Sequence, residues 1–200
     1  LLREADVIVH DRLVSAGVLD LARRDAIRID VGKTKGHHPV PQQSIEDILI
    51  EQAAKGLRVV RLKGGDPFIF GRGGEELEAV RAAGIEVQVT PGITAAMACA
   101  ASAGIPLTHR DHAQSVTFAS GVVKQDGPDA DYRALAAPNS TAVFYMGVDA
   151  APEIERKMLA HGRAPQTPIA LIENGSSDAE RRFTATLADL AGLVVREKIS

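Results

Sequence analysis

The chain has 200 residues, enough to bury a substantial apolar core in one large domain or two small ones. Hydrophobic residues make up 45% of the sequence and charged residues 24%, which excludes a disordered, collagen-like or coiled-coil chain. The formal net charge of -3 supplies no overall basic field, so we expect no nucleic-acid partner. An acidic ligand would need a local basic patch.

The single cysteine and the first residues indicate a cellular location. Cys99 has no partner for an internal disulfide and lies among small apolar residues, which predicts a buried thiol in a reducing compartment. The first residues are acidic where a signal peptide is basic, and no apolar run reaches membrane-spanning length. We therefore expect a cytoplasmic protein with no membrane partner.

The first half of the chain alternates short apolar runs with helical stretches. Runs rich in β-branched residues predict strands over residues 7–9, 26–31, 57–62 and 85–89. Helical spacing predicts helices over residues 44–55 and 74–83, with Ser44 as an N-cap and Gly56 and Gly84 as stops. This alternation predicts an α/β sheet.

A second set of predicted elements begins near Ser115. Strands are predicted over residues 115–120, 141–145, 168–172 and 181–186, and a helix over residues 152–159. The polar, proline-containing stretch 104–112 is typical of a linker. We predict two small α/β lobes, residues 1–114 and 115–200, with a cleft between them, although periodicity alone also allows one continuous sheet.

Glycines concentrate in residues 61–76, between a predicted strand and a predicted helix. Their backbone groups can approach a ligand closely, which predicts a binding loop. The segment lacks the Gly-Lys-Ser/Thr ending of a P-loop and the spacing of the dinucleotide fingerprint, so both nucleotide interpretations are weak. A tight connection without any ligand is the alternative. A second strand-to-helix turn at residues 90–96 would lie at the same sheet edge.

Charged residues follow several of the predicted strands. Asp11 follows the first strand as a general base or, with the larger share on sequence grounds, as a helix cap. Basic residues at strand ends and in the linker would make a positive site if they converge: Lys33, Lys35, Lys63, Arg72, His109 and Arg110. We expect no metal site at His37, His38, His109 and His112, because no thiolate accompanies them.

Seven segments, in order and over nearly the whole chain, resemble the tetrapyrrole (corrin/porphyrin) methylases: residues 11–15, 31–33, 59–76, 91–95, 104–111, 144–147 and 173–175. The Gly-Arg-Gly-Gly-Glu-Glu ending of the glycine loop and Thr-His-Arg-Asp at 108–111 are specific to the uroporphyrinogen branch of this family. Compared with the family pattern, the chain begins within the helix after the first strand and stops before the last one, so we expect it to be truncated at both ends. His10 stands in a position where the family has Tyr.

The resemblance implies a two-lobed homodimer that binds S-adenosylmethionine in its cleft and releases S-adenosylhomocysteine. Asp11 and Lys33 match the proton acceptor and proton donor, which reverses the preference for Asp11 as a cap. The implied cofactor residues are Gly64, Gly65, Asp66, Ile69, Thr94, Ala95, Met146 and Gly175. The implied contacts to substrate carboxylates are Arg12, Lys63, Arg72 and Arg110.

The implied reaction is the transfer of two methyl groups to uroporphyrinogen III, through precorrin-1 to precorrin-2, for sirohaem and cobalamin. Three alternatives stay open: methylation of another corrin intermediate, a cofactor-binding dimerisation module without turnover, and a nucleotide-binding protein. Cofactor affinity without methyl transfer would identify the second. Binding of ATP but not of S-adenosylhomocysteine would identify the third.

Overall fold

The computed structural model describes residues 1–32, 41–122 and 127–200. Its Cα positions group into two units, Leu1–Thr94 and Ala95–Ser200, and each unit contains both helices and strands. The mixed α/β architecture is therefore confirmed. The boundary that the sequence suggests, between residues 114 and 115, lies within the second unit and stays a prediction.

A parallel three-stranded sheet forms the centre of the first unit. Its strands are β1 (Val7–His10), β2 (Ile27–Asp30) and β3 (Val59–Leu62), in the order β2-β1-β3. β1 is the middle strand, and its apolar residues are fully buried because they are paired on both sides. His10 lies opposite Asp30 and Leu62, so the residues that follow all three strands emerge at one edge of the sheet.

The helices of the first unit are α1 (Ala16–Leu19), α2 (Gln42–Ala54) and α3 (Gly73–Ala82), preceded by a 3-10 turn at Leu2–Glu4. α2 begins after Pro41, so Ser44 lies inside the helix and the prediction that it is the N-cap is wrong. Gly56 and Gly84 follow α2 and α3 with φ of 77° and 76°. Both stops are confirmed, since this left-handed conformation favours glycine.

The strand predicted over residues 85–89 is wrong. Burial does alternate from residue 85 to residue 90, and Ile85 and Val87 pack against the core of Val7, Val9 and Leu49. A strand also needs a neighbour to complete its hydrogen-bond ladder, and these residues are paired with no strand in the part of the chain that the structure describes. The alternating sequence pattern therefore indicated which side chains are buried, but it did not indicate that the segment pairs with another strand.

The second unit contains a parallel pair of strands and an antiparallel pair. β4 (Ser115–Ser120) runs parallel to β5 (Ser140–Tyr145), and β6 (Pro168–Glu173) runs antiparallel to β7 (Arg181–Thr186). All four strands are confirmed, with bounds within one residue of those predicted. The helices are α4 (Ala95–Ala103), α5 (Tyr132–Leu135), α6 (Ala151–Ala160) and α7 (Leu190–Glu197), with a 3-10 turn at Leu187–Asp189.

The core of the second unit forms where α5 and α6 pack beside β4 and β5. Its buried side chains include Leu135, Ile154, Met158 and Leu187. Cys99 is half-buried rather than fully buried, and this burial raises the pKa of its thiol. None of the helices in the described ranges has the length and apolar character needed to cross a membrane.

Candidate active site

Three chain segments leave the sheet of the first unit at its carboxyl edge. Asp11 follows β1, Gly32 lies just after β2 and Lys63 follows β3. A Cβ on Gly32 would lie only 2.5 Å from the backbone nitrogen of Arg12, so these two segments pack backbone to backbone. Two of the predicted site residues, Asp11 and Lys63, therefore lie at the same edge of the sheet. Lys33, Lys35, His37 and His38 lie outside the described residues.

Four charged side chains form a network at this edge. Arg61, in β3, donates from Nη2 to Asp11 Oδ1 at 2.5 Å and from Nε to Glu76 Oε1 at 3.2 Å. Lys63 Nζ donates to Glu76 Oε1 at 3.1 Å and lies 3.8 Å from Asp11 Oδ2. Gln42 Nε2 also donates to Glu76 Oε1, at 3.1 Å. Two cations therefore face two carboxylates.

The network is largely removed from water. Side-chain exposure is 6% for Glu76, 9% for Lys63, 12% for Arg61 and 29% for Asp11. Buried charges of this kind persist only when each has an oppositely charged or hydrogen-bonding partner. Asp11 is the most exposed member, so its carboxylate is the one that a ligand can reach.

Asp11 does not cap a helix. α1 begins at Ala16 with Ser15 at its N-cap position, and the Asp11 carboxylate binds Arg61 instead. The cap interpretation is wrong. Arg61 and Glu76 lie within the glycine-rich segment but received no role from sequence reasoning. The sequence signals for them were an arginine inside an apolar strand and a glutamate in the first turn of a helix.

The glycine loop is pinned to the turn at residues 90–94 by Asp66. Its Oδ1 accepts from the amide of Phe68 at 2.9 Å, and its Oδ2 accepts from the amide of Gly92 at 3.0 Å. These two backbone donors, Gly92 foremost, lower the pKa of Asp66. A Cβ on Gly92 would lie 2.2 Å from the carbonyl oxygen of Gly65, so no other residue fits this contact.

The rest of the loop folds back on itself ahead of α3. Gly73 donates its amide to the carbonyl of Pro67 at 2.9 Å, and a Cβ on Gly73 would lie 2.4 Å from that oxygen. Ile69 is half-buried, whereas Gly64 and Gly65 are exposed at the sheet edge and Thr94 is buried. The backbone of Gly64 and Gly65 is therefore exposed, while the fold of the loop is held by contacts of Asp66 and Pro67.

The four residues predicted to bind substrate carboxylates differ in their surroundings. Arg12 is exposed, and Lys63 is buried in the network with Glu76. Arg72 forms a bidentate pair with Glu75, at 2.9 and 2.5 Å, which raises the pKa of the guanidinium. Arg110 belongs to the second unit, where it is exposed and its carbonyl accepts from the side chain of Gln114.

The second unit places its three predicted cofactor residues at the ends of elements. Ala95 begins α4, and the amide of Ala96 donates to the hydroxyl of Tyr145 at 3.0 Å. Met146 follows β5 with a φ of 52° and is 56% exposed, so it is not a core residue. The Tyr145 hydroxyl thus holds the first turn of α4, a contact that the sequence pattern did not predict.

Gly175 lies in the turn after β6, against α4. A Cβ there would lie 2.2 Å from Cys99 Sγ. Glu180 holds this turn, because it accepts from the amide of Ser176 at 2.5 Å and from the hydroxyl of Ser102 at 2.7 Å. The Ser176 amide, the Ser102 hydroxyl and Arg182 lower the pKa of Glu180 to about 2. Because a Cβ at position 175 would overlap the Cys99 sulfur, the turn is packed too tightly for any residue larger than glycine.

No group of three or more His, Cys, Asp or Glu side chains in the described ranges has the geometry to hold a metal ion. The rings of His109 and His112 stack with their centroids 4.6 Å apart, and His109 Nδ1 accepts from the amide of Asp111 at 3.1 Å. These contacts hold the segment that carries Arg110.

Known proteins resemble this chain in sequence and in fold. Siroheme synthase from Edwardsiella ictaluri is 57% identical over 195 residues, and siroheme synthase from Stutzerimonas stutzeri is 54% identical over 199 residues. These matches cover 98% and 100% of this chain but only 42% and 43% of the relatives. The chain therefore spans less than half the length of the curated relatives it matches.

A solved structure matches over a larger share of its own length. It is the uroporphyrin-III C-methyl transferase from Thermus thermophilus in complex with S-adenyl homocysteine, which is 39% identical with a TM-score of 0.79. The match covers 96% of this chain and 81% of that one. The profile of the tetrapyrrole (corrin/porphyrin) methylases matches residues 1–191. Because this match spans nearly the whole chain, the chain belongs to the tetrapyrrole (corrin/porphyrin) methylase family.

Proposed function

We propose that the protein is an S-adenosylmethionine-dependent C-methyltransferase acting on uroporphyrinogen III. The observation that carries this proposal is the glycine loop at the carboxyl edge of the sheet, locked to the next turn by the contact of Gly65 with Gly92. Open α/β sheets bind ligands at this edge. The Thermus thermophilus relative, a uroporphyrin-III C-methyl transferase in complex with S-adenyl homocysteine, supports the same assignment.

The residues present fit this cofactor. Gly64 and Gly65 are exposed and have no side chains, so an adenosine or amino-acid moiety can approach their backbone. In the first unit Gly64, Gly65, Asp66, Ile69 and Thr94 would hold the cofactor. In the second unit Ala95, Met146 and Gly175 would do so, with the exposed Met146 thioether available for contact with an apolar or aromatic group.

The cofactor, when bound, supplies an electrophilic methyl group and leaves as S-adenosylhomocysteine. The protein must then orient a pyrrole carbon of the substrate towards that methyl group and remove the proton that the ring system loses. Asp11 is the proposed proton acceptor, because its carboxylate is the exposed member of the charged network. Lys33 is the proposed proton donor by family resemblance.

Cationic side chains would bind the carboxylates of the substrate. We propose Arg12, Arg72 and Arg110 for this role because each is exposed, and Lys63 because it lies beside Asp11 at the same sheet edge. Arg72 would exchange part of its pairing with Glu75 for a substrate carboxylate. Two successive transfers would give precorrin-2, through precorrin-1. The siroheme synthase relatives favour sirohaem as the end product, and the family resemblance adds cobalamin as another.

The proposal extends to assembly and location. We propose a homodimer in the cytoplasm, with a small tetrapyrrole as its partner and neither nucleic acid nor membrane as a ligand. Gel filtration combined with light scattering tests the dimer directly.

Binding and turnover assays separate this function from its alternatives. Calorimetric titration with S-adenosylhomocysteine and, separately, with ATP should show binding of the first only. Anaerobic incubation with S-adenosylmethionine should then give a methylated product from uroporphyrinogen III. Affinity without turnover on any tetrapyrrole would identify a binding module, and turnover only on a later corrin intermediate would change the substrate.

A further inference from the structure

Every nitrogen of the Arg61 guanidinium donates a hydrogen bond, and these bonds hold the side chain in place. Nη1 donates to the carbonyls of Leu62 and Val9, at 3.1 and 3.3 Å, and Nε donates to Glu76 at 3.2 Å. The remaining nitrogen, Nη2, donates to Asp11 Oδ1 at 2.5 Å. Two of these partners are backbone atoms of adjacent strands, so the guanidinium has a fixed position relative to the sheet.

Asp11 uses its two carboxylate oxygens differently. Oδ1 is bound by Arg61, whereas Oδ2 lies 3.8 Å from Lys63 Nζ, beyond hydrogen-bond distance. The side chain keeps 29% exposure. An aspartate on a strand exit has two free torsions, and the bond to a rigid guanidinium restricts both. The pairing thus leaves Oδ2 as the oxygen that can meet an incoming proton.

Glu76 binds both cations, Arg61 and Lys63. Its Oε1 accepts from Arg61, Lys63 and Gln42, and it lies in the first turn of α3, at the end of the glycine loop. The loop that would bind the cofactor therefore leads directly into the helix that carries the carboxylate bound to Arg61.

We propose that Arg61 is a positioning residue for methyl transfer, holding Asp11 Oδ1 so that Oδ2 faces the substrate. This inference rests on the proposed function, because it assigns to Arg61 the orientation of the proposed proton acceptor. Arg61 touches neither substrate nor cofactor in this role. Its loss should lower kcat and leave the affinity for S-adenosylhomocysteine and the KM for the tetrapyrrole unchanged.

The test uses Arg61→Ala and Arg61→Lys, with Arg58→Ala as the matched control. Arg58 is an exposed arginine just before β3 whose side chain pairs with Glu4. A misplacement of about 1 Å in a catalytic group can cost about 10²-fold in rate, so we expect a fall of that order in kcat for Arg61→Ala. Added guanidinium should restore part of the rate in Arg61→Ala and none in Asp11→Ala. Arg61→Lys, which keeps the charge, should lie between Arg61→Ala and the wild type.

A measurement without turnover tests the contact itself. In protein labelled with 13C at aspartate carboxyls, the Asp11 signal, identified by its absence in Asp11→Asn, should shift in Arg61→Lys and not in Arg58→Ala. If Arg61→Ala fails to fold, Arg61→Lys takes its place in the kinetic test.

Two results would overturn the proposal. The first is an unchanged kcat in a folded Arg61 variant. The second is a fall in kcat matched by an equal loss of S-adenosylhomocysteine affinity and not relieved by guanidinium, since that pattern indicates a structural role. A wild-type protein without any methyl transfer would instead overturn the proposed function, and this inference with it.

Discussion

The amide of Gly92 donates to Asp66 Oδ2 at 3.0 Å, which ties the turn at residues 90–94, at the end of the first unit, to the loop after β3. The same turn brings Gly92 against the carbonyl of Gly65 so closely that a Cβ would lie 2.2 Å away. A loop of this composition would otherwise have many conformations. The two contacts select one, in which Gly64 and Gly65 remain exposed at the sheet edge.

Substitution of Gly92 tests this arrangement. Gly92→Ala would force backbone to move away from backbone, and such overpacking costs about 1–3 kcal/mol. If half of that cost falls on the binding-competent loop, the dissociation constant for S-adenosylhomocysteine rises by between about twofold and about tenfold. Gly74→Ala is the control, because no atom lies within 4 Å of a Cβ at that helical position. Calorimetry should show weaker binding in Gly92→Ala and unchanged binding in Gly74→Ala; equal affinities in both variants would contradict the account.

The close approach of Gly175 to Cys99 predicts a rescue. Gly175→Ala places a Cβ 2.2 Å from Cys99 Sγ, so the midpoint of urea unfolding and the affinity for S-adenosylhomocysteine should both fall. Cys99→Ala removes the obstructing sulfur. The double variant should therefore recover most of both quantities, measured by denaturation and calorimetry. Additive losses in the double variant would show that the contact is not the cause.

The pKa of Glu180, lowered to about 2, predicts a pH-dependent stability. A carboxylate whose folded pKa is depressed stabilises the fold above its usual value near 4.5, and this contribution is lost as the pH falls towards about 2. In Glu180→Gln the contribution is absent at every pH. The difference in unfolding free energy between wild type and variant should thus shrink as the pH falls from about 4.5 to about 2.

Urea unfolding at several pH values measures this difference. Glu78→Gln, at an exposed position on α3, controls for the loss of one carboxylate elsewhere. A difference between wild type and Glu180→Gln that stays constant over the interval would contradict the hydrogen-bonded role of Glu180.

Asp11→Ala should abolish methyl transfer and leave S-adenosylhomocysteine binding largely intact, because Asp11 is proposed to handle a proton and not to bind the cofactor. Asp25→Ala is the matched control, since Asp25 is an exposed carboxylate paired with an arginine, Arg23. The assay is product formation at saturating substrate, with calorimetry for the cofactor product. Unchanged turnover in Asp11→Ala would remove Asp11 from catalysis.

The sequence predicted which residues lie at the carboxyl edge of the sheet, but it did not predict which of them pair there. Strand ends followed from apolar runs and glycines, which are local signals, so the positions of Asp11 and Lys63 were predictable. The pairing of Asp11 with Arg61 joins residues 50 positions apart in the chain, and only the order β2-β1-β3 brings them together. Family resemblance supplied a role for Asp11 but did not reveal the arginine that holds it.

The failed strand at residues 85–89 has a related cause. Alternating burial is a property of one segment, whereas pairing depends on a neighbour elsewhere in the chain. In the same way, Ser44 had the chemistry of an N-cap, but Pro41 set the start of α2 and left Ser44 inside it. Local propensity indicated the elements, and longer-range contacts decided their bounds.

The most direct test of the proposed function is mass spectrometry of the tetrapyrrole after anaerobic incubation of the protein with uroporphyrinogen III and S-adenosylmethionine. The proposed function predicts a product carrying two added methyl groups, formed through a singly methylated intermediate and accompanied by S-adenosylhomocysteine. An unmodified tetrapyrrole, under conditions in which calorimetry shows that S-adenosylhomocysteine binds, would contradict it.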